Sequence, residues 1–173
     1  MKTTLYFVLI FCILPTSGFS QYSSIERRVI DRTEVPEAVI KSQRNQFPDG
    51  FVTQWKIHTR DVSVDQDITY YMATFKKDGR LGNYSYYSPA GKLYAYSIFI
   101  SAFDLPEYIR NQINNEMSGW FIKAAEMIDL EDPHRYIYRV RLNNNGQLRY
   151  LYFDGNGEPI SKNKLPANIF AFL

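Results

Sequence analysis

Apolar residues recur at every fourth position in two short stretches of the chain, and at roughly every second position through most of the rest. Leu105, Ile109, Ile113 and Met117 step by four and paint one stripe on a helix of about three turns. Val35, Val39 and Phe47, with Ile40 alongside, do the same earlier in the chain. Proline just inside a helix start lacks only an N–H that has no intrahelical partner there, so Pro36 and Pro106 open the two helices. Pro48-Asp49-Gly50 and Ser118-Gly119 stop them. Aromatic and β-branched runs follow each helix and predict strands near Phe51 to Thr59, Ile68 to Lys76, Arg80 to Tyr87 and Lys92 to Phe99. Further runs predict strands at Phe121 to Leu130, Arg135 to Asn143 and Gln147 to Phe153, with a weak one after Glu158. Asp78-Gly79 and Asn145-Gly146 suit tight hairpins, and strands joined by such turns are antiparallel.

The chain also says nearly the same thing twice, which bears on architecture before any single motif does. Val35-Pro36-Glu37 recurs as Leu105-Pro106-Glu107, and Lys77-Asp78-Gly79 as Asn144-Asn145-Gly146. Tyr87-Ser88-Pro89-Ala90-Gly91 answers to Phe153-Asp154-Gly155-Asn156-Gly157, all at offsets of 66 to 70 residues. The expected fold class is α+β, built as two tandem helix-plus-antiparallel-sheet repeats with the helices on one face of the sheet. The first repeat covers 35–101 and the second 102–173, preceded by a lead-in segment over 21–34. A third echo at Leu165-Pro166-Ala167-Asn168-Ile169 starts a short helix that caps the second repeat.

Residues 1–20 predict a secretory signal. Lys2 gives a positive start, Leu5 to Leu14 an apolar run too short to span a bilayer, and Gly18 and Ser20 the small residues of a cut before Gln21. The location expected is periplasmic or secreted, with no stable membrane insertion after cleavage. Cys12 is the single cysteine and falls inside the leader, so a processed chain has no disulfide, thiolate nucleophile or cysteine metal site. The remaining ~150 residues suit one domain or two small units. At 45% hydrophobic and 22% charged the composition is globular, and the formal charge of +2, which loses one unit with Lys2, is far below that of a nucleic-acid-binding domain. The aromatic content stands out, with 14 Tyr, 12 Phe and 2 Trp.

With the leader, Val35-Pro36, Phe47-Pro48, Trp55, the Asp78-Gly79 hairpin and the aromatic turn ending at Gly91, the chain resembles the PepSY-like, beta-lactamase-inhibitor-like proteins secreted by Gram-negative bacteria. Leu105-Pro106 through Phe153, Asp154 and Gly157 matches the same pattern, so the resemblance covers residues 35 to about 160. It implies tandem helix-plus-sheet units and a non-catalytic binding or inhibitory role, with no catalytic residues to carry over. It names no target, because fold likeness does not.

Strand alternation assigns faces. Tyr138, Val140, Leu151 and Phe153, with Tyr71, Ala73, Phe75 and Tyr87, share the apolar register and face the helices. Opposite lie Tyr70, Met72, Tyr84 and Tyr86 and, from the second half, Arg139, Arg141, Tyr150 and Tyr152. Tyr70, Tyr84, Tyr86, Arg139, Arg141, Tyr150 and Tyr152 are therefore the candidate partner-binding surface, since Tyr and Arg dominate interface cores. Tyrosines also suit strands and pair across them without any ligand, and a one-residue slip in register would bury them.

Signals for catalysis are weak. His58 at a strand end and His134 beside Pro133 read as surface histidines, and neither has a partner at zinc-ligand spacing. Asp61, Asp65 and Asp67 lack the glycine and closing glutamate of a calcium loop and read as a solvated hairpin loop. Glu37 and Glu107 recur at helix starts, where negative charge complements the helix dipole. Asn83-Tyr84-Ser85 is formally a glycosylation acceptor, but it falls in an expected strand. The expectation is a non-catalytic binding protein with no cofactor and no metal, an unidentified protein partner, and no nucleic acid. It includes inhibition of an envelope or secreted enzyme through the helix-free sheet face. Capture of a small molecule or glycan by the same aromatic face is the alternative, and a structural envelope role a third. Small ligands require a concave pocket, so one near Trp55 or Tyr94 would favour the second reading.

Overall fold

The structure, a computed structural model, describes residues 25–60 and 68–165. The expected leader with Cys12, the Asp61, Asp65 and Asp67 loop, and the helix expected after Leu165 lie outside the described residues.

Ten-residue helices form where the period-four stripes fall, α1 at Glu37–Gln46 and α2 at Glu107–Glu116. Pro36 and Pro106 sit immediately before the first helical residue, with Glu37 and Glu107 in the first turns. Both helices close through a backbone N–H turned back to the chain, from Phe47 to Gln43 O and from Met117 to Ile113 O, each at 2.9 Å. The strands are β1 Ile25–Ile30, β2 Phe51–Arg60, β3 Ile68–Lys77, β4 Arg80–Tyr87, β5 Leu93–Ile100, β6 Phe121–Glu131, β7 His134–Asn144 and β8 Gln147–Asp154. Seven of them start or end within a residue or two of the expected runs. The weak strand expected after Glu158 is a single bridge between Phe153 and Pro159. The lead-in segment, given no structure from its sequence, supplies β1.

The turns explain the recurring glycines. Asp78 and Gly79 both have positive φ, as do Asn145 and Gly146, which is the twist that two-residue hairpins require. Gly91 closes the β4–β5 turn with φ +81°, and a Cβ there would lie 2.5 Å from the Ala38 carbonyl oxygen of α1. In the β8 turn Gly157 has φ +89°, and a Cβ would run into the Tyr108 ring of α2. Each helix thus rests directly on a turn that only glycine leaves open. Ser88 Oγ accepts from the Lys92 N–H in the first turn, and Asp154 Oδ1 from the Asn156 and Glu158 N–H groups in the second.

The division into two tandem repeats does not hold. All eight strands form one antiparallel sheet in chain order, β1 to β8. Strands β5 and β6, assigned from sequence to different repeats, pair through six residues from Ala95↔Leu130 to Ile100↔Ala125. The molecule is therefore mainly one continuous sheet carrying two short helices. The physical reason is that a strand beside a chain break in the pattern still has unsatisfied N–H and C=O groups, and its successor satisfies them. A single cross-strand row runs from Phe75 through Asn83, Ile98, Met127 and Tyr138 to Phe153. Phe75 packs with Val39 of α1 and Phe153 with Ile109 of α2, so both helices cover the same face. Tyr70, Met72, Tyr86, Ala95, Ile128, Leu130, Ile137 and Tyr152 form a third core on the opposite face, closed by Leu165 and Ile160 from the C-terminal segment.

Candidate ligand cleft on the helix-free face

The helix-free face is not a flat display of tyrosines. Tyr70 and Tyr86 are each 5% exposed and Tyr152 is 7% exposed, all within the third core. Tyr84, Arg139 and Arg141 are half-buried, and Tyr150, at 46%, is the one candidate that stands in the open. All seven lie on this side, as the period-two register requires. They do not form the open partner surface expected of them, because alternation decides which side a residue takes and not what covers that side.

Leu165 and Ile160 of the C-terminal segment cover one part of it, and the side chains of the sheet itself close around another. A cleft of about 340 Å³ is lined by Arg27 of β1, Lys56 and His58 of β2, Tyr84 and Tyr86 of β4, Phe99 of β5, Glu126 of β6 and Arg139 of β7. In a flat sheet β1 and β7 would stand about 29 Å apart, six strand spacings of roughly 4.8 Å. One small cleft can touch both only if the sheet curls around it. Irregularities in register between Val52 and Gln54 and between Ile122 and Ala124 help, since a bulged strand bends and twists more.

The cleft floor is polar and paired. Arg139 Nη2 makes an ion pair with Glu126 Oε2, both side chains being largely removed from solvent. The Arg139 guanidinium also lies 6.0 Å from the Tyr150 ring centroid, within cation–π range. Burial, and next the Glu126 carboxylate, push the Tyr86 phenol well above its ordinary value, with Arg139 opposing. The same causes in the same order raise Tyr84. Burial raises Tyr152, and Arg139 again opposes. At neutral pH the cleft therefore presents neutral phenols beside a charge-compensated pair. Arg27 and Lys56, on its β1–β2 wall, have no ion pair among the described residues, so the available charge is positive. Tyr84 and Phe99 meet edge-to-face at 5.6 Å and supply its aromatic wall.

Of the seven candidates, the cleft brings together Tyr84, Tyr86 and Arg139. Tyr70 and Tyr152 belong to the core beside it. Tyr150 touches it only through Arg139, and Arg141 lies further along β7 and β8, opposite Ala124 and Tyr150. His58 is a correction: expected at the surface, it is 4% exposed and stands edge-on to Tyr86 at 6.4 Å. His134 is exposed and pairs with Asp129 at 3.1 Å. Asn83 is buried, donating to Phe75 O and Arg80 O and accepting from Tyr96 OH, which leaves no room for a glycan on the folded chain. Glu126 was missed altogether. Its signal was a charge inside the apolar stretch from Ala124 to Ile128, one step from Ala125 and Met127.

Among the described residues no helix is long and apolar enough to cross a membrane, and no group of three or more His, Cys, Asp or Glu could hold a metal ion. No family model matches the chain, and no curated protein matches it, so the PepSY-like resemblance gains no support. Among the solved structures that resemble it weakly are two periplasmic proteins. One, described as a calcium-regulated periplasmic protein of Bacteroides thetaiotaomicron on a provisional basis, is 17% identical with a TM-score of 0.34, over 78% of this chain and 94% of that one. The other, described in the same provisional way as a periplasmic protein of the DUF2874 family from Bacteroides vulgatus, is 18% identical with a TM-score of 0.33, over 79% and 95%. Likeness at this level carries no argument about fold or function.

Proposed function

We propose that this is an exported, non-catalytic binding protein, periplasmic or secreted, that holds a small anionic ligand in the cleft of its curled sheet. The observation that carries the reading is the concave site itself: about 340 Å³, with Tyr84 and Phe99 as apolar walls and, at one side, the cations Arg27 and Lys56, which have no ion pair among the described residues. Small-ligand sites are concave and mostly apolar, with a few convergent polar groups. An acidic saccharide fits this description, because its ring faces stack on aromatic rings while its carboxylate meets the cations. A protein partner would have to enter the cleft rather than lie on a tyrosine plain, since the tyrosines proposed for such a plain are mostly buried.

The test is calorimetric titration with uronic-acid oligosaccharides beside their neutral counterparts, using the unaltered protein and an Arg27→Gln, Lys56→Gln variant. Both side chains lie at the cleft wall without ion pairs among the described residues, so the variant should keep its melting temperature. Binding of the acidic series, weakened about tenfold or more in the variant, is expected from two lost charge-assisted contacts. Binding of neither series, or equal binding by both proteins, would overturn the reading.

A further inference from the structure

A second concavity lies on the other side of the sheet, between α1, the end of β1 and the start of β2, with a volume of about 520 Å³. Its apolar wall is Ile30, Ile40, Phe47, Val52 and Trp55. Phe47, Trp55 and Ile30 belong to the core under α1, so this wall is rigid and is shaped before any ligand arrives. Phe51, at 71% exposed, stands at the rim although it is a large apolar residue. The rim carries Arg32 and Arg44, neither with an ion pair or side-chain hydrogen bond among the described residues. Asp31 also lines it, but its carboxylate is taken up by the Thr33 N–H and hydroxyl at 2.9 Å. At the inner wall is Gln43, 3% exposed. Its Oε1 accepts from Ser85 Oγ at 2.5 Å and Tyr87 OH at 2.8 Å, while its buried Nε2 finds no acceptor. A buried amide donor without a partner is uncommon and is satisfied by water or by a ligand oxygen.

We infer that this groove is a second binding site, for an amphiphilic carboxylic acid whose apolar body lies against Trp55, Phe47 and Ile40 and whose carboxylate meets Arg32 and Arg44. An apolar chain removes the exposed Phe51 ring and the half-buried Ile40 and Val52 from water, and two guanidiniums without partners among the described residues favour a bidentate anion over a neutral or cationic head. This site shares no charged residue with the sheet cleft, so either can fail alone.

Trp55 reports on the site directly. In a Trp120→Phe background it is the sole tryptophan, because the chain has two. Sodium dodecanoate, below its micellar concentration, should shift the Trp55 emission saturably. Dodecanol and dodecyltrimethylammonium, with the same chain, should need at least tenfold higher concentration. An Arg32→Gln, Arg44→Gln variant, changed only at the rim, should lose that preference while keeping its circular dichroism and melting temperature. An Ile40→Glu variant, which places a like charge on the apolar wall, should lose the dodecanoate response. An unsaturable response, an equal response to all three head groups, or a preference that survives loss of both arginines would overturn the proposal. So would no response at all in the unaltered wall.

Discussion

At the scale of single residues, the two faces of the sheet were readable and their exposure was not. Tyr86 and Tyr87 are neighbours in sequence, and the period of two sends them to opposite faces, each into a core. Tyr87 has its phenol pushed up to about 12, chiefly by burial, and burial likewise raises Tyr84, Tyr86, Tyr96, Tyr138 and Tyr152. The consequence for stability has a definite sign. Below the ordinary phenol value of 10.0 both folded and unfolded chains carry neutral tyrosines, and this contribution is fully present. As pH rises past that value the unfolded chain ionises while the folded chain keeps its protons, so stability falls until the raised folded values are passed. Urea midpoints should therefore hold steady from about pH 7 to 9 and drop above about pH 10. A midpoint unchanged at pH 11 would show that these phenols are not buried. Gln43 teaches a related lesson: it occupies the slot four residues from both Val39 and Phe47. A polar residue in an apolar stripe was the sequence's one sign that something other than packing happens there.

At the scale of elements, the helices were the most legible, because the positions midway along each stripe of four, Glu37, Lys41 and Asn45 or Glu107, Asn111 and Asn115, are polar, whereas in a strand they would share the apolar face. The stripe of α2 is fully used: Leu105, Ile109 and Ile113 are all buried, and Met117 is partly so. Ile113→Ala should cost about 2 to 5 kcal/mol, since the lost methylene burial is compounded by a cavity that α2 cannot collapse into. Asn111→Ala, two residues away on the exposed side of the same helix, should stay within about 0.5 kcal/mol. Chemical denaturation of the pair checks the face assignment, and equal costs would mean α2 packs differently. Strand β1 was illegible for the opposite reason. An edge strand pairs on one side only, and of its described side chains Ile30 alone is buried while Glu26, Arg27, Arg28 and Val29 are exposed. Such a segment needs no apolar alternation to be held, because the backbone of β2 holds it.

At the scale of the whole molecule, the difference between two units and one sheet has a measurable outcome. Two independent repeats would unfold in two steps, and destabilising one would leave the other in place. One sheet bound across β5 and β6 should unfold in a single transition, with calorimetric and van't Hoff enthalpies in agreement. Val39→Ala in α1 and Ile113→Ala in α2 should each lower that one transition without splitting it. A second transition in either variant would restore a two-unit description. By itself the sequence determined the helices, seven of the strands, the hairpin turns and the side of the sheet each residue takes. These follow from local rules: a period of four or of two, a proline at a helix start, and glycine where φ is positive. The tertiary structure alone decided that β5 joins β6, that the sheet curls, and that the tyrosine face becomes a cleft with Glu126 and Arg139 at its floor. It also decided that a groove opens beside Trp55 on the other side. Those outcomes depend on which distant strands satisfy each other's backbone and how far the sheet bends in doing so, and no local pattern in the chain encodes either.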